Sequence, residues 1–169
     1  MENYTKGRNV EDPLHLTDIP ISNIPQNVLW MQVRGGTKMR NVISHVTTFY
    51  ENKIDDISCI WTGYGTSVEK AISCAEIMKR NYNFKLHQIT KIGYKIVEEY
   101  WDPVVPELDQ IVVKRKLPIV HIYLSSKPLD SRELGYQPPG QFVPYQENVK
   151  ISKEKCDTNK ASDSKKKQK

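Results

Sequence analysis

Cysteine and histidine are scarce in this sequence, with three and four copies among 169 residues. Cys59, Cys74 and Cys156 form no CxxC pair, which argues against a disulfide framework and a cysteine-based zinc site and fits a reducing compartment. The histidines show none of the HxxxH or HExxH spacings that are typical of metal sites. We therefore expect no bound metal and no cofactor.

Paired catalytic groups are also missing from the sequence. Asp55 and Asp56 are adjacent, as are Glu98 and Glu99, and neighbouring side chains point apart on a helix or a strand. A general acid and a general base would have to converge on one substrate. We interpret both pairs as solvated charges, and we expect that the chain is not an enzyme.

Long apolar runs are absent as well. No stretch approaches the ~18 residues that indicate a membrane-spanning helix. The polar, acidic start of the chain does not resemble a signal peptide. We therefore expect no membrane contact and a cytosolic or nuclear location.

The main part of the chain has no excess of charge, although the formal net charge is +5. Residues 150–169 hold eight of the 25 cations and three of the 20 acidic residues, which leaves 17 of each sign in residues 1–149. The bulk charge therefore does not indicate a nucleic-acid-binding domain, and any electrostatic argument depends on local clusters.

The apolar pattern from residue 28 onward switches between the periods of strands and helices. Alternation in "VLWMQV" predicts a strand, and "ISCIWTGYG" predicts a buried strand that ends in glycine. A three-and-four spacing of apolar residues predicts one helix that begins at Met39 and a second one after "GYG", with a capping box between Thr66 and Glu69. "KLHQITKIGYKIVEEYW" and "QIVVKRKLPIVHIYLSS" predict a long β-hairpin.

This order predicts an α/β two-layer sandwich with strand–helix–strand–helix–strand–strand topology. A right-handed crossover makes the first two strands parallel and puts both helices on one face of a mixed four-stranded sheet. The hairpin extends that sheet. We expect the other face of the sheet to be open to solvent or to a partner.

Shifts in composition predict the domain boundaries. Prolines and polar residues predict an extended or disordered segment over 1–25, and the folded domain is expected over 26–126. Prolines and glycines over 127–149 predict an extension that packs on or beside the domain. The Lys-rich residues 150–169 predict a disordered tail, which is a nuclear-import signal, a phosphate binder or a solubilising segment.

Two strand–glycine–helix junctions, "RGGTKMR" and "GYGTSVEKA", stand out as candidate anion sites. Neither completes a nucleotide-binding fingerprint, because the first lacks the GxxxxGK[ST] spacing and the second lacks the third glycine of GxGxxG. Both follow parallel strands, so we expect them at one edge of the sheet. Arg34, Lys38 and Arg40 stand at the first junction without an acidic residue among them, although cations at a helix start are unfavourable. A bound polyanion would reverse that effect; an ordinary tight turn is the alternative at each junction.

The predicted hairpin carries a second group of cations. Lys91 and Lys95 share one strand face, and Lys114–Lys116 stands near the start of the return strand. This basic ribbon could follow a nucleic-acid groove, or its lysines could discourage aggregation at a sheet edge. Tyr94 and Tyr100 could stack on bases, although packing in the hairpin is the simpler interpretation.

The sequence resembles the Alba superfamily over about residues 28–140. The likeness lies in "VRGGTKMRNVISHV", "IWTGYGTSVEKAISCAEIMKR", "LHQITKI" and "VHIYLSSKPLDSRELGYQPPG". Within the superfamily it is similar to the larger Alba-type subunits of eukaryotic nuclear ribonuclease P and ribonuclease MRP. The resemblance implies the fold described above and a non-catalytic RNA-binding protein of the nucleus and nucleolus.

The resemblance also implies partners and a process. The expected partners are a structured non-coding RNA, a smaller Alba-type subunit that forms a heterodimer, and other ribonuclease P/MRP proteins. The expected role is binding of a helical element of the catalytic RNA during processing of precursor transfer RNA and ribosomal RNA. The alternative is a free-standing Alba protein that binds messenger RNA or duplex DNA.

Position by position, the resemblance implies RNA-facing residues in both junctions. The hairpin cations correspond to the family only by region. The expected RNA-binding residues are Arg34, Gly35, Gly36, Thr37, Lys38, Arg40, Gly63, Tyr64, Gly65, Thr66, Ser67 and Lys70, with Lys91, Lys95, Lys114, Arg115 and Lys116 on the hairpin.

Overall fold

A computed structural model describes residues 2–140 of the chain. The predicted tail over 150–169, its Cys156 and the end of the predicted extension lie outside the described residues. The described elements are β1 (Tyr4–Glu11), β2 (Leu29–Val33), α1 (Met39–Tyr50), β3 (Ser58–Tyr64), α2 (Val68–Asn81), β4 (His87–Pro103), β5 (Ile111–Ser125) and β6 (Tyr136–Gln137).

The predicted order of four strands and two helices is confirmed as the centre of the fold. Strands β2 and β3 are parallel, with Leu29 opposite Cys59 and Val33 opposite Gly63. β4 and β5 form the predicted antiparallel hairpin. The sheet order is β1-β4-β5-β3-β2, and β6 also pairs with β4.

Both helices pack on one face of the sheet and enclose the first hydrophobic core. Helix α1 contributes Val46 and Tyr50, and α2 contributes small or flexible side chains such as Ala71 and Met78. Trp61 on β3 is completely buried among them. The apolar stripes that predicted the two helices therefore correspond to the surfaces that face this core.

The predicted capping box at the start of α2 is wrong. A short 3-10 turn over Gly65–Ser67 precedes the helix, so Ser67 rather than Thr66 is the N-cap residue, and no side-chain hydrogen bond within the described part of the chain caps the helix. The extra turn shifts the helix start by one residue. Thr66 and Glu69 therefore do not occupy the N-cap and N3 positions that a capping box pairs.

The expectation of an open second sheet face is wrong. Residues that precede β2 and follow β5 cover this face and bury Ile19 and Ile21 against Ile60, Ile89 and Tyr123 of the sheet. The apolar residues of the covering segments stand singly among prolines and polar residues, so they form no helix or strand period. Further partly buried residues around this second core are Leu16, Ile24, Val28, Trp30, Leu129 and Tyr136.

Strand β1 adds a sheet edge that the sequence did not predict. It pairs with the outer part of β4 from Tyr4 opposite Pro103 to Glu11 opposite Val97, with an irregularity between Lys6 and Asn9. The segment predicted as extended or disordered therefore contains a strand in the structure. Within residues 2–140, no helix is long and apolar enough to cross a membrane.

Candidate nucleic-acid interface

The two glycine-rich junctions lie side by side at one edge of the sheet. The first loop (34–38) follows β2 and the second loop (64–67) follows β3, and the parallel register of these strands aligns their ends. The Lys70 Nζ atom donates a hydrogen bond to the Gly35 carbonyl oxygen and so links α2 to the first loop. A Cβ atom on Gly35 would lie 3.8 Å from Thr66 Oγ1 of the second loop. The expected meeting of the two loops is therefore present.

The first loop is closed by Thr37 and leaves its cations exposed. The Arg34 N–H group donates to Thr37 Oγ1 at 2.9 Å, and the Thr37 N–H group donates back to the Arg34 carbonyl at 2.9 Å. Arg34, Lys38 and Arg40 are exposed, and none of the three forms an ion pair with any residue of 2–140. Thr37 thus orders the loop, while the three cations are available to a ligand.

Helix α1 begins at this loop with its positive backbone end uncovered. Lys38 is the N-cap residue, it makes no side-chain cap, and the first turn contains no acidic residue. The N–H groups of a first helical turn have no partner within the helix. Together with Lys38 and Arg40 they form a compact group of donors and positive charges that suits a phosphate.

The second loop owes its path to two glycines. A Cβ atom on Gly63 would lie 2.6 Å from the Ser67 carbonyl oxygen and 2.8 Å from the Ala71 Cβ atom, so the strand and α2 approach each other too closely for a side chain. Gly65 has a φ of +56°, which favours glycine. Gly63 and Ser67 are buried, whereas Thr66 is exposed. The structure therefore places the first two in packing positions and Thr66 on the surface.

Tyr64 connects the second loop to the N-terminal strand. Its hydroxyl group donates a hydrogen bond of 2.6 Å to Glu11 Oε2. This bond, followed by partial burial, raises the pKa of the Tyr64 hydroxyl, while the nearby Arg34 acts in the opposite direction. The phenol is therefore a neutral donor to a charged carboxylate.

Two cavities flank this group of residues. One, of about 330 Å³, lies between the loops and is bounded by Leu117 and Glu11. The other, of about 470 Å³, lies beside the end of β1 and the residues that follow it. Glu11, Arg34 and Tyr64 line both cavities. Glu11 and Leu117 were missing from the sequence-based site, because each reaches the loops from a strand that is distant in sequence.

The hairpin cations are largely engaged in ion pairs. Lys95 is the one that reaches the loops: only 8% of its side chain is exposed, its Nζ atom lies 3.5 Å from Glu11 Oε2, and the same atom lies 4.5 Å from the centre of the Tyr64 ring. Lys116 is exposed and forms no ion pair with residues 2–140. The remaining pairs are Lys91 with Glu133 at 3.0 Å, Lys114 with Glu98 at 3.2 Å and Arg115 with Glu99 at 3.1 Å.

The two candidate stacking tyrosines of the hairpin differ in their surroundings. Tyr94 is exposed over 74% of its surface. The Tyr100 ring is covered by the Arg8 guanidinium group, whose central carbon lies 4.9 Å from the ring centre. Of the two, Tyr94 alone presents an uncovered ring among the described residues.

Comparisons with known proteins identify the family. A family model described as Alba matches residues 29–96, which contain both loops. The chain is also 39% identical over 142 residues to a human protein named ribonuclease P protein subunit p25-like protein, and the match covers 83% of this chain and 84% of that protein. The chain belongs to the Alba superfamily. The predicted resemblance is confirmed.

Other proteins match the chain over different lengths. Human ribonuclease P protein subunit p25 is 30% identical over 156 residues, covering 82% of this chain and 77% of that protein. A Plasmodium falciparum protein named DNA/RNA-binding protein ALBA1 is 33% identical over 75 residues, covering 44% of this chain and 30% of that protein. A solved structure of Alba from Thermoplasma volcanium matches with a TM-score of 0.39 and 16% identity, covering 59% of this chain and 99% of that one.

Proposed function

We propose that this Alba protein is a non-catalytic RNA-binding subunit of ribonuclease P and ribonuclease MRP. The observation that carries the proposal is the pair of adjacent glycine loops with three exposed cations, Arg34, Lys38 and Arg40, at the uncapped start of α1. The proposed assembly is supported by the relatives that are named as ribonuclease P subunits, which match more than four-fifths of the chain.

The loops suit the backbone of an RNA helix. Exposed cations bind phosphates by releasing condensed counterions, and free helix N–H groups add hydrogen bonds to phosphate oxygens. Gly35 and Gly36 are exposed, and a Cβ atom on Gly36 would meet nothing within 4 Å, so a ligand can approach this backbone closely. Such contacts fix the position of the protein on the helix without reading its sequence.

The proposed protein partner is a smaller Alba-type subunit in a heterodimer. Support comes from a row of exposed apolar side chains on β4: Ile92, Tyr94 and Ile96 are exposed over 79%, 74% and 53% of their surfaces. They occupy alternate positions and therefore share one face. Val120, opposite Ile92, belongs to the core under the helices, so this row continues that core outward. Contiguous exposed apolar surface is typical of protein–protein contacts.

The cellular role follows from the proposed assembly. As a subunit of this assembly, the chain contributes to processing of precursor transfer RNA and ribosomal RNA in the nucleus and nucleolus, together with other subunits of the ribonucleoprotein. The chemistry would belong to the RNA. In residues 2–140, no group of three His, Cys, Asp or Glu side chains lies close enough to hold a metal ion.

A free-standing Alba protein that binds messenger RNA or duplex DNA is the second candidate function. The similarity to the Plasmodium protein named DNA/RNA-binding protein ALBA1 favours it. That match covers less than half of this chain, whereas the matches to the ribonuclease P subunits extend over most of it.

Affinity capture of the full chain from a nuclear extract distinguishes the two functions. We expect a smaller Alba-type protein and one structured non-coding RNA to be recovered together. Tyr94→Asp should lose the protein partner, because a charge would be buried in the apolar contact. The matched control is Leu134→Asp, at an apolar residue that is exposed over 83% of its surface and lies outside this row. Recovery of messenger RNA without either partner would contradict the leading proposal.

A further inference from the structure

The larger of the two cavities beside Tyr64 has the features of a small-ligand site. Its volume of about 470 Å³ lies in the range of known ligand pockets. Its walls come from four separate parts of the chain: the N-terminal segment supplies Asn9 and Asp12, β2 and its loop supply Gln32 and Arg34, β3 supplies Tyr64, and β4 supplies Lys95. The cavity therefore exists only because the N-terminal segment crosses the face of the sheet.

Several polar groups in this cavity have no partner. The side-chain amides of Asn9 and Gln32 and the guanidinium group of Arg34 make no hydrogen bond to any other residue in the described range 2–140. Each amide offers two donors and one acceptor, and the guanidinium offers five donors. These groups are free to bind a ligand, unlike Tyr64 and Lys95, which are held by Glu11.

The charge of the cavity disfavours an anion inside it. Glu11 and Asp12 contribute two carboxylates, which balance the cations Arg34 and Lys95. A phosphate in the cavity would meet both carboxylates, whereas a neutral ligand rich in donors and acceptors would not be repelled. The other two exposed cations of the first loop, Lys38 and Arg40, do not line this cavity.

We propose that this cavity receives the base of an unpaired nucleotide, while the adjoining phosphates of the same strand lie on the glycine loops. The inference rests on the proposed RNA-binding function. Arg34 and Tyr64 connect the two regions, because both residues line this cavity and the one between the loops. A strand that follows the loops thus passes the mouth of the cavity.

The chemistry of the lining fits a nucleobase. Unpaired bases in RNA are recognised by hydrogen bonds to their edges and by contact with aromatic side chains, and Asn and Gln are suited to bases that present a neighbouring donor and acceptor. Asn9 and Gln32 supply such amides, and Tyr64 supplies an aromatic wall. Phosphate contacts position the RNA, so these amides add the selectivity that the loops lack.

Two kinds of RNA hairpin test the inference. The first is fully paired. The second carries a single unpaired nucleotide in the stem and is prepared in four versions, one for each base. We expect the full chain to bind at least one bulged hairpin about tenfold more tightly than the paired one, the effect of one good amide–base contact. Gln32→Leu and Asn9→Leu should each remove most of this preference and leave the thermal midpoint within about 3 °C of the parent's. Gln26→Leu, at an exposed amide outside the cavity, is the matched control.

The outcomes separate the inference from the proposed function. If the parent chain binds paired and bulged RNA equally well, the base site is overturned while RNA binding stands. Equal losses of affinity for both hairpins in Gln32→Leu also overturn it, because they indicate a contact to the backbone. Binding to neither hairpin contradicts the proposed function and the base site together.

Discussion

The carboxylate of Glu11 accepts a 2.6 Å hydrogen bond from the hydroxyl group of Tyr64, 53 residues further along the chain. The same carboxylate lies 3.5 Å from the buried ammonium group of Lys95. One acidic side chain from β1 therefore holds a tyrosine of the second loop and neutralises the hairpin lysine that lies nearest to it. The N-terminal strand therefore lowers the net positive charge at the candidate RNA-binding edge of the sheet.

Replacing Glu11 with glutamine should strengthen RNA binding. The amide oxygen still accepts the hydrogen bond from Tyr64, but the negative charge beside Lys95 and Arg34 is gone. We expect an affinity increase of about fivefold, which corresponds to roughly 1 kcal/mol of relieved repulsion near the surface. The plot of log K against log salt should steepen by about one unit. Glu107→Gln, at an exposed carboxylate in the β4–β5 connection, is the matched control and should change neither quantity.

The double variant Lys38→Ala, Arg40→Ala should bind RNA less tightly and yet be slightly more stable. Loss of two phosphate contacts should flatten the salt dependence by one to two units. Removal of cations from the positive end of α1 should raise the free energy of unfolding by about 0.3–1 kcal/mol for each. Binding titrations at several salt concentrations and urea unfolding measure the two effects.

A matched double variant controls for the loss of charge. Lys53 and Lys85 lie at the opposite end of the sheet from the loops, one after α1 and one just before β4. Lys53→Ala, Lys85→Ala removes the same two charges, and its salt dependence should stay within about half a unit of the parent's. An unchanged slope in the Lys38→Ala, Arg40→Ala protein would mean that the first loop is only a turn.

Two glycine substitutions should separate folding from binding. Gly63→Ala forces a Cβ atom against the Ser67 carbonyl oxygen and Ala71, so we expect a loss of about 1–3 kcal/mol in the free energy of unfolding. Gly36→Ala meets no atom within 4 Å and should leave stability nearly unchanged. It should nevertheless weaken RNA binding if the backbone of the first loop contacts a phosphate. Equal RNA affinity in Gly36→Ala would argue against close approach at that residue.

The stabilising effect of Glu99 should depend on pH. Hydrogen bonds from Lys6, and then from Arg115, lower the pKa of this carboxyl in the folded protein. A group with a lowered folded-state pKa stabilises the fold fully above its unfolded-state pKa, and it loses that effect as the pH falls through its folded-state pKa. Urea unfolding should therefore find Glu99→Gln less stable than the parent near pH 7. The difference should shrink in the acidic range, and Glu107→Gln should show no such trend.

The centre of the fold could be predicted because its signals are local. The apolar stripe of α1, the alternating pattern of β2 and the two long β-rich runs each specify an element within a short window. Strand β1 could not be predicted, since "YTKGRNVE" is mostly polar and becomes a strand only by pairing with β4. Tertiary pairing, rather than intrinsic preference, decides such segments.

The candidate site, like the fold, was predictable only where its signals are local in the sequence. The glycines and cations of the two loops are visible in sequence, and parallel strands imply that the loops meet. The burial of Lys95 and its pairing with Glu11 depend on the path of the N-terminal segment over the sheet. No spacing within the chain indicates that path, because the residues concerned are far apart in sequence.

The second core contains residues from near both ends of the described chain. It therefore cannot be completed until both of these segments have been synthesised. Ile19 and Ile21 are synthesised before β4, whereas Leu129 and Tyr136, which help to cover them, are synthesised after β5. At typical rates of elongation, residues 2–28 wait on the order of ten seconds for β4 alone. During that interval the first-made segment exposes its apolar residues without a partner. We therefore expect the nascent chain to need protection from aggregation until β6 has been synthesised.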